Sequence, residues 1–261
     1  MVEKDSEWIL PENLKKQEKK SRELIDEGKG DSDHGADFGS YYAYRKGINF
    51  EYIKWHAYTN EKRSLDYVKN LSSFLNSMNL KLDGEIIDIG CAIGTITNAI
   101  NIINGGGTYG LDLSEDGIEV ARSKYPKCIF YNQSADDLSN FKNETFDIIH
   151  CREFYPFTKT NDKQYQIKYL KLFYEKLKRH GFIVLEMIDL DKGFCNTYKD
   201  IDKELKNIGY KFVKKSMEVP ATQYNKLFGA LLYKRPLYDF LQLVARILLK
   251  QRVKFFYILA K

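Results

Sequence analysis

The chain has 261 residues, 43% of them hydrophobic and 30% charged, which suffices to bury a full core in one decorated domain or in one domain plus a small cap. Its 41 basic and 36 acidic residues give a formal charge of +5, spread along the chain rather than gathered in one block, so nucleic acid is not an expected partner. Cys91, Cys128, Cys151 and Cys195 show no C-x-x-C spacing, which excludes a cysteine metal cluster and a disulfide framework, and with no apolar leader and no apolar run of about 18 residues the expectation is a reduced, cytoplasmic chain that spans no membrane.

Residues 12–27 are good helix formers with few apolar positions, and they run into the Gly- and Asp-rich stretch Gly28–Gly39. An aromatic-dense segment, Tyr41 to Tyr58, follows, so residues 1–60 read as an N-terminal arm and lid. From Glu61 to Met78, Leu65, Val68, Leu71, Phe74, Leu75 and Met78 recur at helical spacing, which predicts a helix packed on a sheet. Beyond Asp83, short apolar runs at 85–90, 107–113, 128–133, 146–151 and 182–188 alternate with helical patterns at 94–103, 114–124 and 162–179 and a shorter one at 135–140. That alternation is the signature of βαβ units and a doubly wound parallel sheet. A helix at 198–208 leads to a sixth strand at 210–219, and 252–260 reads as the seventh. Between them, 220–250 is an insert whose second half, Leu237–Leu249, is apolar except for a stripe at Asp239, Gln242, Arg246 and Lys250, the pattern of a buried helix or, as the alternative, of a membrane-surface or dimer helix. The chain end carries Lys234, Arg235, Arg246, Lys250, Arg252, Lys254 and Lys261 against Asp239 alone, which reads as a solvated basic edge and leaves peripheral membrane association open.

Two strand-to-helix turns carry the chemistry. In Glu85–Gly94, EIIDIGCAIG, side chains are trimmed at Gly90, Ala92 and Gly94, so a nucleotide can approach the backbone there. Asp88, two residues before the first glycine, is placed to brace the turn's amides or to accept from an amino group. The second strand ends in Tyr109-Gly-Leu-Asp-Leu-Ser114, which puts Asp112 22 residues after Gly90, where an acid accepts the hydroxyls of a ribose. In a dinucleotide fingerprint the third glycine falls three residues after the second, whereas here Gly94 follows Ala92 by two.

The runs I-D-I-G-C-A-I-G and G-L-D-L-S resemble the first and second motifs of the class I S-adenosylmethionine-dependent methyltransferases, and the resemblance extends from about Leu65 to Asp189. Ala92 stands where the family has its middle glycine. The resemblance implies S-adenosylmethionine as cofactor, no metal, and a domain over 61–261. It further implies an α/β, Rossmann-like, seven-stranded and mostly parallel sheet of order 3-2-1-4-5-7-6, with helices on both faces, an N-terminal helical lid and a helical insert before the last strand. Carried onto this sequence, the cofactor contacts are Asp88, Gly90, Cys91, Ala92, Gly94, Asp112 and Leu113. After the third strand the adenine turn corresponds to Asn132–Leu138. There Ser134 replaces a common Asp, so its hydroxyl or Gln133 must reach the adenine amino group, the Ala135 amide serves the ring, and Asp136 either joins the contact or, like Asp137, caps the helix that follows.

The segment Phe146–Glu153 resembles the family's fourth motif, which implies that Cys151 and Arg152 line the cofactor while Glu153 and Tyr155 face the acceptor. Phe157 stands where many relatives carry a histidine. Members also set an aromatic or basic N-terminal residue on the cofactor carboxylate, which points to Tyr44 and Arg45, with Tyr42 beside the substrate; the alternative is that Tyr41–Gly47 is packing for a cap.

Methyl transfer from a sulfonium is an in-line displacement that demands placement, and a hydroxyl or amine acceptor also needs a base. Glu153 is the first candidate and His56 the second; His150, inside a strand, reads as a core histidine. The expected acceptor is a small molecule, a sugar or a nucleotide- or phosphate-linked precursor, because the chain shows no second domain for gripping protein or RNA and its REFYPFT segment resembles relatives that tailor surface carbohydrates. A monomer or homodimer is expected. Two rivals stand beside this reading. One is an NAD(P)-dependent oxidoreductase, for which Tyr155-x-x-x-Lys159 has the spacing but also a proline; the other is a non-catalytic module that binds the sulfonium.

Overall fold

The computed structural model describes residues 61–158, 163–189, 196–217 and 253–261. The arm and lid expected at 1–60 and the insert helix at 237–249 lie outside the described residues. The chain divides into two compact units, Met1–Lys142 and Asn143–Lys261. Numbered in chain order among the described residues, the strands follow the order β3-β2-β1-β4-β5-β7-β6, as the resemblance implied.

The first unit opens with α1 (Glu61–Asn76), which buries Val68, Leu71 and Leu75 at helical spacing. β1 (Ile86–Ile89) is buried at all four positions, so its sequence is continuously apolar apart from Asp88. The helix α2 (Thr95–Asn104), the strand β2 (Thr108–Asp112), α3 (Glu115–Lys124) and β3 (Ile129–Asn132) follow. β1 pairs with β2 and β2 with β3, all parallel. Ser114 caps α3, its hydroxyl accepting from the Gly117 amide at 3.1 Å. The end of α3 is joined to the start of α1, where Glu61 accepts from the Tyr125 hydroxyl at 3.1 Å and pairs with Lys124 at 3.1 Å. The Lys124 hydrogen bond holds the Glu61 carboxyl below its ordinary range.

One expected element does not form. Residues 135–140 make successive turns, with the Asp137 amide donating to the Ser134 carbonyl at 3.2 Å and the Phe141 amide to the Leu138 carbonyl at 3.1 Å. Here the side chains compete with a helix for backbone partners: Asp137 accepts from the Ser139 amide, and Gln133 donates to the Asp137 carbonyl.

The second unit contains β4 (Phe146–Cys151), the single turn α4 (Tyr155–Thr158), α5 (Lys163–Lys176), β5 (Leu177–Asp189), α6 (Asn196–Ile208), β6 (Lys211–Met217) and β7 (Val253–Ala260). β4 and β5 are parallel, whereas β7 runs antiparallel to both β5 and β6. β5 starts five residues earlier than the apolar run from Phe182, because Phe146 pairs with Leu177 and Ile148 with Phe182, leaving 178–181 bulged opposite Asp147. Lys178 closes that bulge by pairing with Asp147 at 2.7 Å. α5 buries Ile167, Tyr169, Leu170 and Phe173, and the Tyr210 hydroxyl donates to the Leu170 carbonyl at 2.8 Å. At the chain end, Lys261 donates to the Leu177 carbonyl at 2.9 Å and pairs with Glu144 at 3.2 Å, so this basic residue is tied into the fold. Among the described residues no helix is long and apolar enough to cross a membrane.

Beneath the first turn of the first unit, the Phe130 ring fills the space that two glycines leave. A Cβ on Gly110, its partner in the β2–β3 register, would lie 2.6 Å from the ring and 2.9 Å from the Cys91 sulfur. Accordingly Gly110→Ala should lose about 1–3 kcal/mol in chemical denaturation. Combined with Phe130→Leu, which opens the same space, the loss should fall short of the sum of the two single losses.

Candidate active site

The turn between β1 and α2 is fastened mainly to the end of β2 by backbone hydrogen bonds. The amides of Gly90 and Cys91 both donate to the Leu111 carbonyl, at 2.8 and 3.1 Å, and that of Gly94 donates to the Cys91 carbonyl at 2.9 Å. The Ala92 amide donates to Asp112 Oδ2 at 2.8 Å, while Asp112 Oδ1 accepts from the Ser114 amide at 2.9 Å. One half-buried carboxylate therefore fastens the turns after β1 and β2 to each other. Burial pushes the Asp112 carboxyl up from its ordinary value, opposed by these two amides, and the neighbouring Asp88 adds to the rise. Asp88 is buried in β1 and accepts from the Thr97 hydroxyl on α2 at 2.7 Å; this bond goes to the helix and not to the turn's amides.

Gly94 is left-handed at φ 75°, and a Cβ there would meet the Phe130 ring at 2.6 Å and the Ala121 methyl at 2.9 Å. Ala92, at φ 53°, is also left-handed although it carries a Cβ. The Cys91 side chain turns downward into a cluster with Ile118, Ala121, Tyr125, Cys128 and Phe130. Burial, followed by the charges of Asp112 and Asp88, pushes its thiol well up, so it stays protonated.

Leu113 and Gly90 are half-buried at the rim of these turns. After β3, the Ser134 hydroxyl donates to Asp136, Gln133 accepts from Asn140 at 2.7 Å, and Ala135 is buried. The polar groups assigned to adenine are thus engaged with one another in this structure. Sequence reasoning placed Asn132 at the start of the adenine turn but missed its contacts: its amide donates to the Leu113 carbonyl at 2.8 Å and the Asp112 carbonyl at 3.2 Å. It also missed Phe130; a large aromatic residue alternating into the glycine face of the neighbouring strand was the available signal.

In the second unit, β4 ends at Cys151, fully buried and close enough to Tyr210 to help raise that phenol, whose main cause is burial. Arg152 Nε lies 3.5 Å from Glu186 Oε2 on the adjacent strand β5, and Glu186 is 1% exposed. Glu186 was not singled out in the sequence, where it sits inside an apolar run. Glu153, half-buried, is left-handed at φ 55°. The next residues enter an aromatic stack: Phe154 meets Tyr169 edge-on at 5.4 Å and Phe157 at 6.0 Å. Tyr155 opens α4, but its side chain lies outside the described residues, as do Lys159, Tyr42, Tyr44, Arg45 and His56. His150 is fully buried in β4. No group of three or more His, Cys, Asp or Glu suited to a metal occurs among the described residues.

The donor set of the first unit decides what ligand fits. The amides of Gly90, Cys91, Ala92 and Gly94 are all spent inside the fold, which leaves those four none to offer a pyrophosphate. The half-buried carboxylate of Asp112 favours a ligand that donates hydrogen bonds, and S-adenosylmethionine donates through its ribose hydroxyls while bearing no phosphate. The sheet order and this turn together define a class I S-adenosylmethionine-dependent methyltransferase. Residues 80–239, more than half of the chain, match the methyltransferase domain family, and the chain belongs to that family.

Solved structures share the fold. A SAM-dependent methyltransferase from Archaeoglobus fulgidus aligns with a TM-score of 0.53 at 16% identity, over 85% of this chain and 99% of that one. Magnesium protoporphyrin IX methyltransferase from Synechocystis, with bound SAM, aligns at 0.53 and 14% identity, over 86% and 97%. Phosphoethanolamine N-methyltransferase 2 from Haemonchus contortus, in complex with phosphomonomethylethanolamine and S-adenosylhomocysteine, aligns at 0.50 and 16% identity, over 82% and 61%. No curated protein sequence matches the chain.

The left-handed Ala92 makes a direct prediction. Ala92→Gly should raise stability by about 1 kcal/mol, read from the midpoint of chemical denaturation, because glycine adopts this conformation without strain.

Proposed function

We propose that the protein methylates a hydroxyl of a small molecule, a sugar or a nucleotide- or phosphate-linked precursor in surface polysaccharide biosynthesis, with Asp112 on the cofactor ribose and Glu153 as the base. Bound S-adenosylmethionine supplies the electrophilic methyl group. The observation that carries the acceptor reading is the backbone of Glu153. A non-glycine residue held left-handed costs about 1–3 kcal/mol, and such strain persists where the aim of a side chain matters more than its ease. Within this reading, Glu153 takes the proton from the acceptor hydroxyl, Tyr155 and Tyr42 border the acceptor, and His56 is the second candidate for the base. Arg152, Cys151, Tyr44 and Arg45 face the methionine portion of the cofactor; Ser134, Ala135 and Asp136 face adenine. Two proteins of this fold are named for small-molecule substrates, magnesium protoporphyrin IX and phosphoethanolamine, which supports the substrate class without selecting the acceptor.

Glu153→Gln should lower methyl transfer to an accepted sugar about 10²–10⁴-fold while leaving S-adenosylhomocysteine affinity unchanged in calorimetry. Transfer at the wild-type rate would remove Glu153 from the role of base. The ribose assignment has its own tests. Asp112→Ala should weaken S-adenosylhomocysteine binding by about 1–3 kcal/mol. Because burial raises the Asp112 carboxyl and the ribose hydroxyls need its ionised form, wild-type affinity should be full at neutral pH. It should decline on acidification while the pH is still above the ordinary carboxylate value of about 4. Asp112→Asn should flatten that profile.

A further inference from the structure

We propose that Asn132 is a positioning residue for the nucleoside: its side-chain amide holds the Asp112–Leu113 backbone and thereby sets the direction of the Asp112 carboxylate. The proposal rests on the reading of Asp112 as the ribose ligand.

Asp112 and Asn132 are the last pair in the β2–β3 register, so the ladder that aligns the two strands stops at the residue whose aim matters most. Beyond it the Asn132 side chain takes over. Its nitrogen donates to the Leu113 carbonyl at 2.8 Å and to the Asp112 carbonyl at 3.2 Å, and the Gln133 amide adds a third bond, to the Asp112 carbonyl, at 3.1 Å. Peptide units are planar, so fixing two successive carbonyls fixes the planes that flank Leu113 and leaves the backbone of that residue little freedom. On the side-chain end, Asp112 is held by the Ala92 and Ser114 amides. Asn132 thus fastens from the backbone what those amides fasten from the carboxylate, and both residues it holds are ones assigned to the nucleoside.

The residue type fits this task narrowly. Two carbonyl acceptors need donors, which an amide has and a carboxylate lacks; serine is too short to span both. Asn132 is exposed, so its side chain contributes little to the core, and a role in packing does not explain it.

The test compares S-adenosylhomocysteine with its 2′-deoxy analogue by calorimetry, in the wild type and in Asn132→Ala. The wild type should prefer the hydroxylated ligand by about tenfold, the scale of one hydrogen bond to a charged group. Asn132→Ala should lose most of that preference, with the affinity for the deoxy ligand nearly constant. Asn132→Asp, which sets a negative charge against two carbonyls, should lose it entirely. Retention of the wild-type preference in Asn132→Ala overturns the proposal, and so does an equal weakening of both ligands, which is the mark of a general brace. A wild type that binds both ligands equally removes the Asp112–ribose reading itself, and the role of Asn132 with it. Asn132→Ser serves if the alanine variant does not purify folded, since it keeps a polar surface while withdrawing the reach.

Discussion

The first unit depends on one carboxylate. Asp112 accepts from the amide of Ala92 in the turn after β1 and from that of Ser114 at the start of α3, so two turns separated by a whole helix become one surface. Around this point the remaining groups have fixed duties. Leu111 offers its carbonyl to Gly90 and Cys91, Ser114 caps α3, and Asp88 reaches forward to Thr97 on α2. A bridge of this kind accepts two amides more strongly when ionised. Burial works against that and the amides work for it, which is why the direction of the carboxyl's shift bears on function.

Space under the turn is as tightly set as its hydrogen bonds. The Phe130 ring stands within contact distance of where a Cβ would sit on both Gly94 and Gly110, and Cys91 sends its sulfur into the same cluster. The turn is therefore supported from below by an aromatic ring and fastened by the Leu111 and Cys91 carbonyls and the Asp112 carboxylate. Strain occurs at a non-glycine position in each of the turns after β1 and β4, Ala92 and Glu153. At Ala92 a family glycine has been replaced; at Glu153 no glycine is expected, and the carboxylate itself is the reason the strain is informative.

In the second unit, the charged pair Arg152–Glu186 lies across β4 and β5 one residue beyond the paired Cys151 and Leu185. An arginine stays charged in any protein environment, and a carboxylate beside it offsets part of the cost of burying that charge. The sequence contains both residues, but nothing in their spacing, 34 positions apart with Arg152 just past β4 and Glu186 within β5, announces that they meet. Tyr210 with Leu170, and Lys261 with Leu177 and Glu144, are of the same kind: contacts set by the register of strands and helices that are distant in the chain.

Periodicity alone determined most of the elements. Alternating short apolar runs and helical patterns located all seven strands and the helices from α1 to α6 apart from the single turn α4, since burial on a sheet face or helix stripe writes itself directly into residue spacing. The turn Asp88–Gly94 and the acid Asp112 were equally legible, because close approach to a backbone requires small residues in a fixed local order. The helix expected at 135–140 was not there: local side-chain hydrogen bonds from Gln133 and Asp137 outweighed a weak helical pattern, and such competition is decided by geometry rather than propensity. Only the tertiary structure decided that Asp112 is shared between two turns, that Phe130 is their floor, that Asn132 holds the Asp112–Leu113 backbone, and that Glu186 stands beside Arg152. All but the Ser114 end of the Asp112 bridge join residues far apart in the chain, and a one-dimensional pattern carries no record of which strands become neighbours or in what register.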